Sequence, residues 1–293
     1  MTRSGTAWVM TALLLGVTSA CSTDVGTGTH PTAVPAASPT SRNLASPAAG
    51  PEEVDAVTHA SGRRYWTSAS GPDTLVQAGA VTGRAPTASL RLAGRWTLPR
   101  VVSGGPAEGL APGGDMLALA ETPSEERSRF ALVRTDLAEQ PRLVTLPGGF
   151  TFDAWSPRAD TLYLIQHLPP AGAGHYVVRA YDVASGRLLP EPIADKRTLG
   201  EQMNGLPESR ATTTDGATVA TLYLPHPGTH PHHGPFVHLL FTRDRTALCV
   251  DLPQPVARGW SLARAGGTFE VRDPSGRARY WIDAESGAFG DAG

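Results

Sequence analysis

Cysteine is almost absent from this chain. Cys21 and Cys249 are its only two in 293 residues, so no disulfide framework supports the fold. Lysine is reduced to Lys196, and 25 basic against 27 acidic residues leave a net charge of −2. That balance provides no basic field for nucleic acid or for an anionic membrane surface. Beyond the first 21 residues no stretch is apolar enough to span a bilayer. No window of the later chain sustains apolar residues at helical spacing between caps, and one turn at Glu201 to Met203 is the most helix expected. Catalytic signatures are missing as well. There is no G-x-S-x-G, Ser-x-x-Lys, H-E-x-x-H, C-x-x-C, phosphate loop or dinucleotide fingerprint, and therefore no cofactor is implied.

What the chain does contain is glycine and proline, 32 and 26 residues, within a 40% hydrophobic composition. That mixture suits many short strands and turns, and the length allows a sizeable core. Three regions follow in order. Residues 1–21 read as a targeting segment: Arg3 supplies positive charge, and Ala7 to Val17 is an apolar run too short for a stable membrane span. Residues 22–53 are mostly Ser, Thr, Pro, Ala and Gly. They cannot bury enough surface to offset the entropy of ordering, which makes them a linker with a reach of roughly 30 Å. Residues 54–293 are the folded part.

Five weak copies of one unit run through that part, each made of short alternating segments around two tight turns. The first turn of each copy falls at Ser61-Gly62, Pro112-Gly113-Gly114, Pro157-Arg158-Ala159, Asp215-Gly216 and Gly266-Gly267. The second falls at Thr82-Gly83, Leu137-Ala138-Glu139, Ser185-Gly186, Arg243-Asp244-Arg245 and Ser286-Gly287. The two series interleave at a spacing of about 50 residues, the range of blades and arrays. A small antiparallel sheet with two apolar faces cannot bury both alone, and stacking such sheets radially buries both. The expectation is an all-β β-propeller of about five degenerate four-stranded blades, with a β-sandwich as the alternative. Only Gly290 to Gly293 follow Phe289, so the last unit is expected to lack its outer strand or to borrow one from the segment before Ser61.

Two resemblances can now be named. Thr18-Ser19-Ala20-Cys21 resembles the lipobox of bacterial lipoproteins, in which the cysteine becomes the lipidated N-terminus, although Thr18 stands where an aliphatic residue is usual. Ordinary secretory cleavage after Ala20 is the alternative, and both imply export. The lipoprotein reading implies lipid attachment at Cys21 and anchorage to the outer face of the cell membrane. Trp155-Ser156-Pro157-Arg158-Ala159-Asp160 resembles the W-S-P-D-G turn of PD40/TolB-like and WD40-like propeller repeats. Asp182-Val183-Ala184-Ser185-Gly186-Arg187 resembles their D-x-x-(T/S)-G-(R/K) turn. These motifs specify turns, not chemistry.

The conspicuous side-chain cluster runs from Pro225 to Pro235, with His226, His230, His232 and His233 inside it and His238 beyond. Neutral imidazoles bind Zn, Cu or Ni, so these four are the candidate metal ligands. A Pro/Gly loop without a carboxylate or cysteine reads rather as a solvated hairpin loop. Glu125-Glu126, mixed with Arg127 and Arg129, reads as a loop tip in water. Asp153, His167 and His175 are candidates to face a propeller channel, Asp153 equally to hydrogen-bond a turn. Cys249 reads as a small core residue, and the tryptophans as core packing, with stacking of a sugar or peptide at a propeller face as the alternative. No catalytic residue is assigned. The expected function is a non-catalytic envelope lipoprotein whose propeller binds a protein or other ligand, with a protein partner at the cell envelope. The alternatives are a propeller-type hydrolase or lactonase with a channel metal, and a metal-binding role for the histidine-rich loop.

Overall fold

Ten chain reversals expected from the sequence are ten reversals in the structure. The computed structural model describes residues 55–83, 85–168, 175–195, 203–225, 234–253 and 255–293, and among these there are strands and loops but no helix. Blade 1 is β1 (Ala56–Thr58), β2 (Arg63–Ser70), β3 (Asp73–Ala80) and β4 (Ala88–Leu92). Blade 2 is β5 (Met116–Ala120), β6 (Arg127–Arg134) and β7 (Arg142–Pro147). Blade 3 is β8 (Phe150–Trp155), β9 (Thr161–His167), β10 (His175–Asp182) and β11 (Arg187–Leu188), with β12 (Met203–Asn204) added to the other end of β10. Blade 4 is β13 (Leu206–Thr212), β14 (Thr218–Leu224), β15 (Phe236–Phe241) and β16 (Thr246–Asp251). Blade 5 is β17 (Ser261–Ala265), β18 (Thr268–Arg272), β19 (Ala278–Asp283) and β20 (Phe289–Asp291).

Each blade is an antiparallel meander, so its first and third reversals lie at one end and its longer connections at the other. One backbone hydrogen bond recurs at the turn end in all five blades. Val81, Thr135, Val183, Thr242 and Ala284, at the close of the third strand, donate to Gly62, Asp115, Asp160, Ala217 and Gly267 beside the first turn. Three non-glycine residues have positive φ: Leu137 at 57°, Ala159 at 54° and Arg245 at 55°. Each sits in one of the ten turns, where Gly62, Gly114, Gly186, Gly216, Gly266 and Gly287 supply the same conformation in other copies. The repeat has drifted in sequence while its backbone geometry has stayed.

Successive sheets pack face to face. One core cluster joins blades 1 and 2 around Tyr65, Leu117 and Val133. A second joins blades 2 and 3 around Phe130, Phe150 and Leu164. A third joins blades 4 and 5 around Leu222, Leu239 and Phe269. Between blades 3 and 4 the core is split in two, one cluster around Tyr163, Val219 and Leu240 and another around Tyr176, Tyr223 and Phe236. First strands from blades 1 to 4 line a common central space, and β17 of blade 5 packs on β13. The architecture is a five-bladed β-propeller, and five separate sheets rule out a two-sheet sandwich.

Some expectations need correction. Blade 5 has its own outer strand, because Asp283 ends β19 and the chain reverses at once to pair Phe289 with Ile282. The segment before Ser61 forms β1, the first strand of blade 1, held by pairing of Val57 with Tyr65. Met203 belongs to a strand, opposite Tyr176, rather than to a helical turn. Blade 2 has three regular strands; its innermost segment touches β5 through isolated bridges at Thr97 and Leu110. Pro99, Pro106 and Pro112 in that segment remove the N–H groups a continuous ladder needs. Cys249 is half-buried rather than sealed in the core, since β16 is an outermost strand. Trp96, Trp155 and Trp260 do pack the core, whereas Trp281 on β19 is exposed.

Candidate functional site

The first strands of a propeller face a channel rather than a core, so they can carry polar side chains. β13 does so: Leu206–Thr212 reads Leu-Pro-Glu-Ser-Arg-Ala-Thr. Its register shifts between Pro207 and Ser209, and β8 shifts between Phe152 and Ala154. Such bulges re-aim side chains, and the residue displaced in β8 is Asp153.

Asp153 meets Arg210 in the channel. Arg210 Nη1 donates to Asp153 Oδ1 at 2.7 Å and to Thr221 Oγ1 at 3.2 Å, and its Nη2 donates to the Asp153 carbonyl. On its other side Arg210 Nε lies 3.2 Å from Glu108 Oε2. The Arg210 and Asp153 side chains are only 7% and 4% exposed, against 23% for Glu108. Blade 3 separates blades 2 and 4 in the ring, so the Glu108–Arg210 pair is made across the channel. At the turn end the channel is crossed again, where the backbone of Gly216 comes close to the Pro112 ring.

Two carboxylates share one guanidinium here, and the electrostatics follow. Burial raises the Glu108 pKa, against the pull of Arg210. Burial would lower that of Arg210, but Glu108 and Asp153 more than offset it, so it ends above its ordinary value. Gly109 fixes the approach of Glu108. It has φ 102°, and a Cβ there would lie 2.4 Å from the Ala118 carbonyl oxygen.

From Arg210 a polar row runs outward across all of blade 4. Arg210 is paired with Thr221, Thr221 with His238, and His238 with Cys249. Asp195 closes the row by accepting a hydrogen bond from the Cys249 N–H at 2.8 Å. This row occupies the face turned to blade 3, and it is what divides the core there into two clusters. His238 is 3% exposed, its Nε2 has no hydrogen-bond partner, and burial brings its pKa down to about 4. It is therefore neutral at pH 7.

Cavities lie on either side of the Glu108–Arg210 pair. One of about 340 Å³ is bounded by His59, Pro112, Asp153 and Trp155 toward the turn end. Another of about 350 Å³ opens toward the loop end beside Pro106, Glu208 and Ala211. A third, about 320 Å³, lies at the loop end against the Tyr176–Tyr223 cluster, walled by Arg100, Thr151, His167, His175 and Leu206. His167 Nε2 is 3.0 Å from Thr151 Oγ1. The buried Nδ1 of His175 has no partner. Leu206 is 39% exposed at the rim.

Of the three residues expected at the channel, Asp153 lies there, in the ion triad, whereas His167 and His175, on β9 and β10, flank the loop-end cavity instead. Glu125 and Glu126 are exposed. Cys21 and His226, His230, His232 and His233 fall outside the described residues. Among the described residues no group of three or more His, Cys, Asp or Glu is placed to hold a metal, and Glu108 and Asp153 already bind a guanidinium. Glu108, Arg210 and His238 were not singled out as site residues. The signal for Arg210 and Glu108 was the polar content of β13 and of the proline-rich segment before β5, and that for His238 was a lone imidazole in the apolar strand β15.

No protein-family model matches the chain, and no curated protein matches it. Solved structures do. Hydrazine synthase of Kuenenia stuttgartiensis is 14% identical over 78% of this chain and 64% of its own, with a TM-score of 0.48. A putative TolB from Agrobacterium tumefaciens is 13% identical over 81% and 79%, with a TM-score of 0.46. The Cps50 (Swd1) β-propeller domain of Myceliophteria thermophila is 10% identical over 77% and 63%, with a TM-score of 0.42. The chain spans less than two thirds of the first and third of these. Likeness at this level says nothing of activity.

Proposed function

We propose that the protein is an exported binding module, lipidated at Cys21 and held at the outer face of the cell membrane by the linker of residues 22–53. Its propeller engages a partner, a protein or peptide of the cell envelope, through the loop end. The observation that supports binding over catalysis is the ion triad of Glu108, Arg210 and Asp153. A general acid, a base or a metal ligand needs a carboxylate free to exchange a proton or cation. Glu108 and Asp153 are both committed to one arginine, and Glu208 beside them accepts from the Gly259 N–H. The partially apolar cavity at the loop end, with unpartnered polar atoms on its wall, suits an inserted side chain and a backbone amide.

The test has two arms. Intact mass and membrane partitioning of the native protein are compared with Cys21→Ala. A mature chain that begins at Cys21, carries a diacylglycerol mass and becomes soluble in the variant supports the anchor. A wild type without lipid removes the anchor and leaves a secreted propeller. In the second arm, partners are cross-linked from membrane extracts with wild type and with Leu206→Glu, which places a charge on the exposed rim. A specific envelope protein lost in the variant supports the loop-end reading; one retained equally refutes it.

A further inference from the structure

The turn end carries a cavity that the loop-end reading leaves unused. It is a crease of about 520 Å³ between blades 3 and 4, bordered by the turns at Pro157 and Arg243. Three arginines line it, Arg158, Arg243 and Arg245, against one acidic residue, Asp160.

Those groups are unequally engaged. Asp160 accepts hydrogen bonds from the Ser156 and Thr161 hydroxyls at 2.7 and 3.3 Å, and Arg158 Nε lies 3.4 Å from its other oxygen. Arg243 pairs with Asp215 at 2.6 Å, outside the crease. Among the described residues Arg245 has no ion pair within 4 Å, and its guanidinium meets only hydroxyl groups, Thr161 Oγ1 at 3.3 Å and the phenol of Tyr163. Asp244, in the same turn, is exposed and is not part of the lining.

The repeat itself makes these arginines anomalous. Arg245 holds φ 55° where blades 3 and 5 use Gly186 and Gly287, at 73° and 71°. Glycine enters this conformation freely and L-residues do not. Arg158 stands where the other first turns have Ser61, Gly113, Asp215 and Ala265. Both turns that border the crease therefore break the pattern toward arginine, and among the described residues no ion pair within 4 Å offsets the backbone strain at Arg245. A guanidinium is suited to bidentate contact with a tetrahedral oxyanion.

We propose that this crease binds a phosphate-type oxyanion, with Arg245 and Arg158 as its principal donors and Arg243 at the rim. The site is independent of the loop-end partner reading. Its source is either the headgroup of an anionic lipid or a soluble phosphorylated compound.

Inorganic phosphate is the probe, and thermal unfolding is followed against chloride at equal ionic strength. At about ten times Kd, phosphate is expected to raise the wild-type Tm by about 3 °C beyond chloride. Arg245→Gly relieves the strained turn, so its Tm without phosphate is expected to match or exceed wild type while the phosphate increment disappears. Arg158→Gln is expected to reduce the increment without lowering the basal Tm. Co-sedimentation of Cys21→Ala protein with phosphatidylglycerol vesicles, lost in Cys21→Ala/Arg245→Gly, assigns the ligand to a headgroup. A phosphate increment without vesicle binding assigns it to a soluble compound. An equal response to chloride and phosphate, or an increment retained in Arg245→Gly, overturns the proposal.

Discussion

Replacing Arg210 with methionine keeps the length of the side chain and removes the charge that two carboxylates share. The consequences can be estimated from the distances. Asp153 Oδ1 at 2.7 Å and Glu108 Oε2 at 3.2 Å are worth about 6 and about 5 kcal/mol of attraction at an effective dielectric of about 20. Relief of the buried guanidinium's own desolvation cancels part of that sum. What remains is the cost of leaving buried charges without their partner, about 3–5 kcal/mol, and the orphaned pair also repel each other. For a domain of this size that lowers Tm by about 10 °C. The loss depends on pH with a definite sign. Without Arg210 nothing opposes the burial that raises the Glu108 pKa, so the folded protein binds more protons there and regains stability as pH falls. Urea unfolding followed by tryptophan fluorescence at pH 7.5 and pH 5 reads both quantities. The deficit at pH 5 is expected to be smaller by about 1–2 kcal/mol, and Glu108→Gln in the same chain is expected to recover a similar amount at pH 7.5. A loss below about 1 kcal/mol at pH 7.5, or the same loss at both pH values, would refute the reasoning.

His238 acts in the opposite sense. Its folded pKa of about 4 lies below the unfolded value, so the wild type loses about 3 kcal/mol as pH falls from 6.5 to 4. His238→Leu is expected to flatten that decline in urea midpoints, and parallel profiles would show that the imidazole is not held neutral. The strained turns separate strain from packing. Leu137 is 7% exposed and belongs to the core of blades 1 and 2, so Leu137→Gly loses about 3 kcal/mol of burial and regains about 1–2 kcal/mol of strain. A net loss is expected by chemical denaturation, and a more stable variant would mean that the side chain contributes little to the core.

The fold was legible because its signals are local. A glycine or an Asp-x-x-Ser pair specifies a reversal within four residues, as where Asp182 accepts from the Ser185 N–H at 2.6 Å and Asp283 from Ser286 at 2.8 Å. Ten such reversals at regular spacing leave little choice of architecture. The site was legible only in half. Asp153 could be placed at the channel from its strand, but its partner is 57 residues away, and no pattern along the chain ties Arg210 to it. The broken innermost segment of blade 2 hid Glu108 for another reason: its prolines and glycines read as loop, although in space it does the work of a strand. The outer strand of blade 5 was misjudged because three residues seemed too few, whereas a pairing that begins immediately after a turn needs no more.

The order of the strands has a consequence for how the protein is made. Among the described residues every blade is a contiguous piece of chain, and none of its strands comes from another part of the sequence. Contacts close over tens of residues rather than hundreds, so blade 1 and blade 2 can dock as soon as both have emerged, without waiting for blade 5. A chain that is threaded N-terminus first can thus assemble progressively, each new sheet covering the apolar face left by the one before. The corresponding hazard is at the end of the process. A chain interrupted after blade 4 would present the uncovered surface of Leu222, Val237 and Leu239 to any other sheet within reach.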